Sequence, residues 1–293
     1  MRVAITGASG FIGKHLSNYL AGFNHQIIPI GRGLLSEESF QHLVEVLENC
    51  DAVINLAGAT INRRWTSQYK DVMCDSRIGT TSRLVCALKS INRPPGLLIS
   101  ASAVGYYPSE GEFDEHDDVV TEGFLASLCR EWEAEAKKCP SETRVVITRF
   151  GVVLALDGGA MQEMITPLIR TKVSAVIGSG KQAFPWIDLH DVCRAIHFLL
   201  EKEKVKGVYN LVSPQLITQK YLAHALAKAY RAWATLPVPG LVFRCLFGER
   251  SNMLLEGQKV RPSRLLEAGF TFSVPTVEQL LNLPDTKVTP EPL

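Results

Sequence analysis

A chain of 293 residues, 46% of them apolar and 21% charged, can bury a sizeable core, which excludes the disordered and fibrous classes. Its formal net charge is +1 and no long basic run is interleaved with aromatics, so no nucleic-acid partner is expected. No apolar run approaches the roughly 18 residues that cross a bilayer, so no membrane partner is expected either.

Met1 leads straight into an apolar strand, so no signal or transit peptide is expected. The seven cysteines are scattered, without a C-x-x-C pair, and are read as reduced thiols, not as disulfide partners or metal ligands. A cytoplasmic protein without a metal site is the default expectation.

The first strand, Val3 to Thr6, runs into a turn punctuated by Gly7, Gly10 and Gly13 and then into a helix through Leu16 and Leu20. A strand, a tight glycine turn and a helix N-terminus make a site for an anionic phosphate, because unpaired N–H groups and the helix dipole face the anion. Gly7 permits the turn, Gly10 lets backbone approach a pyrophosphate, and Gly13 lets helix and strand pack closely. Thr6, Gly7, Ser9, Gly10, Phe11, Ile12 and Gly13 are therefore the first candidate cofactor residues, and a bare structural turn is the alternative.

A second strand, Gln26 to Ile30, ends in Gly31-Arg32. Arg32 lies 19 residues past Gly13, close to the roughly 20-residue offset at which the ribose 2′ position is read. A guanidinium there suits a 2′-phosphate, so NADP(H) is the expected cofactor, against the plainer option of a solvated loop arginine. Ser36 to Asn49 has a helical apolar face (Phe40, Leu43, Val44, Leu47), with Ser36 only an imperfect cap.

The strand Ala52 to Leu56 delivers Asn55, Leu56, Ala57 and Gly58 to a carboxyl edge, where open parallel sheets bind ligands. Their small side chains suit the adenosine half of a dinucleotide. Trp65 to Ile91 reads as one long helix opened by Thr66-Ser67, with Arg77, Thr80 and Thr81 as solvated positions. The strand Gly96 to Ser102 brings Ser100, Ala101 and Ser102 to the same edge, followed by Tyr106-Tyr107. Such hydroxyls can hydrogen-bond a substrate carbonyl, or can simply satisfy backbone at a strand end.

Gly111 to Gly123 is acidic and turn-rich and reads as an exposed loop. Phe124 to Lys138 is a helix with Trp132 buried. Arg144 to Phe150 is a buried strand that places Arg149 near its end, and Asp157-Gly-Gly159 leads flexibly out of the sheet. Met161 to Lys172 is helical, and Ile177 to Asp191 is a loop with a short strand. A helix runs from Asp191, capped by its own carboxylate, to Glu201. Val208 to Leu211 returns to the main sheet.

A helix from Gln219 to Arg231, Pro237-Val-Pro239, a helix around Phe243 and the segment 255–262 complete the chain. The expected fold class is α/β: a Rossmann-like doubly wound parallel sheet over 1–212, with 155–185 contributing to a cleft, and a smaller C-terminal substrate lobe over 213–293.

Taken together these residues resemble the extended short-chain dehydrogenase/reductase superfamily of sugar-nucleotide epimerases and dehydratases. Trp186-Ile-Asp188, Ser100-Ala-Ser-Ala-Val-Gly-Tyr-Tyr107, Arg63-Arg-Trp65, Ser76-Arg-Ile78, Trp132-Glu133 and Met253-Leu-Leu-Glu-Gly-Gln-Lys-Val260 are similar to those of an atypical subgroup. Those are the epimerase family proteins that carry a C-terminal domain of unknown function, and the likeness covers nearly the whole chain.

The resemblance implies a nicotinamide cofactor held against a strand-end serine, which falls on Ser102. It also implies a Tyr-x-x-x-Lys pair on the following helix, in which the Lys ammonium lowers the Tyr pKa for proton exchange with substrate. Aligning Glu133 with the acidic residue of that helix puts Leu125 and Cys129 where Tyr and Lys belong, and neither can do that work. Tyr106 is then the nearest candidate proton donor, and Arg149 is a candidate replacement for the missing cation beside the cofactor. The expected function is an NADP(H)-binding oxidoreductase or epimerase-like protein acting on an unknown small molecule between the strand ends and the second lobe, near Trp186 and Lys259. The alternative is a non-catalytic NADP(H)-binding protein that senses redox state or docks a partner.

Overall fold

A computed structural model describes residues 1–119, 121–156 and 158–282 of the chain. Val120 of the acidic stretch, Asp157 of the expected flexible exit and residues 283–293 of the expected lobe lie outside them. The first strand, β1 (Arg2–Thr6), is followed by α1 (Phe11–Gly22) and β2 (Gln26–Ile30). Next come α2 (Phe40–Glu48), β3 (Ala52–Asn55), α3 (Ser67–Cys74), α4 (Thr80–Lys89) and β4 (Leu97–Ala103). A short β5 (Glu112–Phe113), α5 (Phe124–Ala136) and β6 (Arg144–Phe150) follow. The chain goes on through β7 (Val152–Ala155), α6 (Gly159–Thr171), β8 (Val173–Ile177), β9 (Trp186–Asp188), α7 (Leu189–Glu201) and β10 (Gly207–Leu211). It ends with α8 (Gln219–Ala229), β11 (Ala234–Val238), α9 (Gly240–Phe247), α10 (Asn252–Leu255), β12 (Lys259–Val260), α11 (Ser263–Glu267) and α12 (Val277–Asn282).

Six strands form one parallel sheet in the order β10-β6-β4-β3-β1-β2. The chain leaves β1 toward β2 on one side and resumes at β3 on the other, so the topological switch lies between β1 and β3, with the ligand crevice at their carboxyl ends. Both faces are covered, as a parallel sheet requires. α1 and α7 pack Leu16, Leu20, Val192 and Ile196 on one face, and α2 and α4 pack Leu43, Leu47, Leu84 and Leu88 on the other. This is the α/β doubly wound fold expected.

Four local expectations are corrected. The helix expected from Ser36 begins at Phe40, after two 3-10 turns, and Ser36 makes no capping bond to backbone. The long helix expected over Trp65 to Ile91 is α3 and α4 joined by a π turn at Asp75–Gly79, with Thr66 accepting from the Tyr69 N–H at 3.2 Å as its cap. Within it Thr80 and Thr81 are buried and Arg77 half-buried, not solvated. The cap of α7 is Asp188, which accepts from the His190 and Asp191 N–H groups; Asp191 is engaged elsewhere.

Burial, and after it the charge of Asp191, push the Asp188 carboxyl up to about 6 from 3.8. A carboxyl pKa raised by folding stabilises the fold below the unfolded value and loses that contribution as pH rises through the folded one. Asp188→Asn keeps a capping oxygen. It is expected to gain melting temperature relative to the wild type as pH rises from about 4 to about 7. Parallel melting curves for the two proteins would remove the assignment.

The second lobe is shared between distant segments. β8 pairs with β11, and α6, α8 and α12 enclose Met161, Leu168, Trp186, Leu222 and Val277. After β12 the chain returns to the main unit, where Leu265, Phe270 and Phe272 join the core under α7. The acidic stretch expected as an exposed loop holds this return in place. β5 pairs with β12, Glu112 ion-pairs with Lys259 and Arg261, and Asp114 accepts from Ser263 Oγ at 2.7 Å. Glu115 accepts from the N–H of Asn210 (2.7 Å) and of Arg264 (3.2 Å). Asp191 accepts from Ser273 N and Val274 N, both at 2.8 Å. No helix among the described residues is long and apolar enough to cross a membrane.

Candidate cofactor and catalytic site

The glycine turn sits at the switch point. Gly7 has φ +68°, and a Cβ there would lie 2.8 Å from the Leu56 carbonyl oxygen. A Cβ on Gly13 would lie 2.1 Å from the Gly7 carbonyl oxygen, so α1 is pressed against the turn that feeds it. Gly10 caps α1 without any side-chain hydrogen bond, and its own N–H donates to Gly7 O at 2.9 Å. The helical ladder opens with Lys14 N to Gly10 O, which leaves the N–H groups of Phe11, Ile12 and Gly13 without an intrahelical acceptor. Ser9 and Gly10 are exposed above them. A glycine-rich turn of small residues with backbone donors at a helix start fits an anionic pyrophosphate.

From the far segment, Gly158 and Gly159 lie against the Phe11 ring, close enough that a Cβ on Gly158 would be 2.7 Å from it. Arg32 is exposed in the 3-10 turn that directly follows β2, the strand beside β1, and so stands at the same carboxyl edge as the glycine turn.

Thr6, Asn55 and Ser100 have no exposed surface and knit the strand ends together. Thr6 Oγ1 donates to Asn55 Oδ1 at 2.7 Å and accepts from the Leu56 and Ala57 N–H groups at 3.1 Å. Asn55 Nδ2 donates to Thr81 Oγ1 (2.8 Å) and Ser100 Oγ (3.4 Å), and Trp132 Nε1 donates to the same Thr81 oxygen at 3.0 Å. These side chains hold the crevice floor from beneath, so contact with a ligand falls to Leu56, Ala57 and exposed Gly58. Arg77 packs under Gly58, donates to Ala59 O at 3.1 Å and lies over the Trp132 ring. Sequence reasoning missed this role of Arg77, Thr81 and Trp132; the signal available was the Ser76-Arg-Ile78 motif.

Ser102 is 2% exposed, and its Oγ donates to Glu133 Oε1 at 2.8 Å. Glu133 is held by a two-pronged ion pair with Arg149, Nε to Oε1 at 2.7 Å and Nη2 to Oε2 at 2.9 Å, and both residues are buried. Burial pulls the Arg149 pKa down, but the hydrogen bonds and charge of Glu133 outweigh it and raise it. The guanidinium carbon lies 3.4 Å from the centroid of Tyr106 and 4.8 Å from that of Tyr107. Arg149 therefore charges the ground beneath the tyrosines from within the protein and is not on the surface that a cofactor meets.

Tyr107 is buried and bonds through its hydroxyl to Asn210 Oδ1 (3.1 Å) and Asp114 O (3.0 Å); desolvation pushes its pKa up to about 12. Tyr106 is the member of the pair that keeps exposed surface. Ala101 is buried.

Leu125 and Cys129 lie on the face of α5 turned to this strand end. Leu125 contacts Gly105, and the Cys129 thiol, pushed up to about 11 by burial and by Glu133, meets Ala103 backbone and Ser102. The positions that a Tyr–Lys pair would fill thus hold an apolar side chain and a protonated thiol. Trp186, expected beside substrate, is 1% exposed in the lobe core, and Lys259 is paired with Glu112.

An N–H cradle at the switch point of a parallel sheet, with hydroxyl-bearing strand ends beside it, defines a dinucleotide-binding α/β protein of the short-chain dehydrogenase/reductase type. The chain belongs to the NAD dependent epimerase/dehydratase family, whose model matches residues 3–211. Residues 238–282 match a domain of unknown function, DUF1731.

The chain is 38% identical over 291 residues to the mouse epimerase family protein SDR39U1, covering 96% of this chain and 98% of that one. It is 37% identical to a chloroplastic homolog from Arabidopsis thaliana, covering 96% of this chain and 86% of that one. The crystal structure of human SDR39U1 with NADPH superposes with a TM-score of 0.88 at 35% identity, over 96% of this chain and 98% of that one.

Proposed function

We propose that this chain binds NADP(H) and acts as an oxidoreductase or epimerase-like enzyme on a small molecule. The observation that carries it is the N–H cradle of Phe11, Ile12 and Gly13, at a turn that Gly7 folds closely against Leu56 and that Gly10 leaves without a side chain at the helix start. The NADPH in the human SDR39U1 structure supports the same cofactor here. In this reading the exposed Arg32 meets the 2′-phosphate and Leu56 to Gly58 border the adenosine. When bound, the nicotinamide supplies or accepts the hydride. The protein's part is to orient substrate between the strand ends and the second lobe and to handle one proton. Tyr106, partly exposed over the Arg149 guanidinium, is our candidate proton donor, and Ser102 supports that arrangement from below through Glu133.

A specific observation favours a second reading, in which the dinucleotide is bound without catalysis: Ser102 is committed to Glu133, and Leu125 and Cys129 offer no proton relay. Two measurements decide. In fluorescence titration NADPH is expected to bind more tightly than NADH, and Arg32→Ala to lose about tenfold or more of the NADPH affinity while sparing NADH, the worth of one charge-assisted contact. Equal affinity for the two cofactors would remove the 2′-phosphate assignment. With a panel of carbonyl substrates and NADPH oxidation as readout, Tyr106→Phe is expected to lower turnover about 100-fold with cofactor affinity unchanged. Turnover preserved in that variant would clear Tyr106 of the role, and a wild type inert across the panel would favour the second reading.

A further inference from the structure

On the opposite edge of the sheet from the glycine turn, the short connection between α1 and β2 brings His25 against the last turns of α7. His197 and Glu201, four residues apart and so on one face of α7, meet it there. His25 Nε2 lies 3.2 Å from His197 Nε2, and the two nitrogens lie 3.6 and 3.8 Å from the same Glu201 oxygen, Oε1. Both imidazoles are buried, while the Glu201 side chain is 48% exposed. The rings are fixed by packing: His197 lies 4.3 Å from the Phe23 centroid and 6.0 Å from that of Tyr19.

Two imidazole Nε2 atoms this close cannot both present bare lone pairs to each other; a proton or a cation must stand between them. The edges of the triangle decide which cation fits. In a tetrahedral zinc site with bonds near 2.0–2.1 Å, neighbouring donor atoms are about 3.3–3.4 Å apart. The three separations here bracket that value, and the nearest point equidistant from all three donors, in their plane, lies about 2.1 Å from each, so a slight contraction of the triangle seats a tetrahedral Zn²⁺ above it. The Nδ1 atoms of both histidines have no hydrogen-bond partner among the described residues, and it is the Nε2 edges that converge.

We propose that His25, His197 and Glu201 form a binding site for one divalent transition metal, zinc by ligand type. It cross-links the α1–β2 connection to the C-terminal end of α7, with water completing the coordination from the exposed Glu201 side. Two imidazoles and a carboxylate are a borderline-soft set that suits Zn²⁺ better than Mg²⁺ or Ca²⁺. The site is remote from the dinucleotide crevice and stands independently of the proposed activity. Its role is that of a clamp: α1 carries the glycine turn at one end and enters the clamp at the other.

The test uses the full-length chain without an affinity tag, stripped with a chelator and titrated with ZnCl₂ by calorimetry, and with CoCl₂ by absorption. About one Zn²⁺ per chain is expected, with a rise in melting temperature, and Co²⁺ should develop the intense visible bands of tetrahedral coordination. Glu201→Gln, at an exposed position that folding tolerates, is expected to weaken Zn²⁺ at least about tenfold. His197→Gln is expected to abolish the stoichiometric step and the Co²⁺ bands. Cys86→Ser and Cys245→Ser, which remove the two exposed thiols, should change neither. Absence of saturable binding by the wild type, or binding unchanged in both Glu201→Gln and His197→Gln, would overturn the proposal and leave a histidine pair sharing a proton.

Discussion

Arg149→Met is expected to lower stability by about 3–5 kcal/mol, the cost of removing one partner from a buried ion pair. Arg149 and Glu133 are 4% and 2% exposed, and the bidentate contact spans the two elements, β6 and α5, that frame the candidate catalytic position. With the guanidinium gone, the Glu133 carboxylate keeps Ser102 as its remaining hydrogen-bond donor among the described residues and is left a buried charge without its cation. Tyr106 and Tyr107 lose the cation that their rings cover. For a chain of this size the loss corresponds to a fall in melting temperature of roughly 10 °C.

The double variant Arg149→Met/Glu133→Leu should recover most of that fall, because an apolar pair of similar volume has no charge to desolvate. A single variant that melts with the wild type would show that water already reaches the pair. A double variant no better than the single one would show that packing, and not the orphaned charge, sets the cost.

Gly13→Ala is expected to cost NADPH about 100-fold or more in affinity, although residue 13 is buried and offers a ligand nothing but its N–H group. The new methyl would lie 2.1 Å from the Gly7 carbonyl oxygen and 2.8 Å from the Ala8 Cα, both backbone atoms that no rotamer change can move aside. α1 must then lift from the turn, and the N–H groups of Phe11, Ile12 and Gly13 lose their common focus. A misplacement near 1 Å is enough to undo contacts of this kind. Stability should fall by about 1–3 kcal/mol as in other overpacked cores. The more telling readout is the melting-temperature rise that saturating NADPH gives the wild type, which should vanish in the variant. Retained NADPH protection in Gly13→Ala would place the cofactor away from this turn. Gly33→Ala, where an added Cβ meets nothing within 4 Å, is the matched control and should behave as the wild type.

The central sheet was legible because its signals are local. β1, β2, β3, β4 and β6 are short, mostly apolar runs, with Gly7, Gly31, Asn55, Ser102 and Gly151 at or just past their carboxyl ends, and a strand buried on both faces needs no partner to show that pattern. The glycine spacing was legible for a similar reason: Gly7 and Gly13 are demanded by backbone conformation and by close approach, which the chain states at fixed offsets. The C-terminal lobe was read only coarsely. β8 and β11 are separated by more than fifty residues, and Pro237 inside β11 reads as a breaker until the strand is seen as an edge. The acidic stretch from Glu112 to Asp118 has the composition of a solvated loop, and only its pairing with 259–264 turns Glu112, Asp114 and Glu115 into clamps.

The candidate catalytic residues divide along the same line. The sequence by itself determined that β4 carries a serine near its end and two tyrosines just after it, and that the helix that follows lacks a Tyr–Lys pair. It also determined that a dinucleotide-type turn opens the chain, because these are matters of residue type and spacing. Only the tertiary structure decided that Ser102 faces Glu133 and that Arg149 lies beneath Tyr106. It likewise decided that Thr6, Asn55 and Ser100 are floor and not lining, and that His25 meets His197 across 172 positions. The physical reason is direction. A residue's place at a strand end follows from the alternation of apolar and polar positions. Whether its polar atom points into a crevice or into the core depends on which donor or acceptor stands opposite, and that partner comes from another part of the chain.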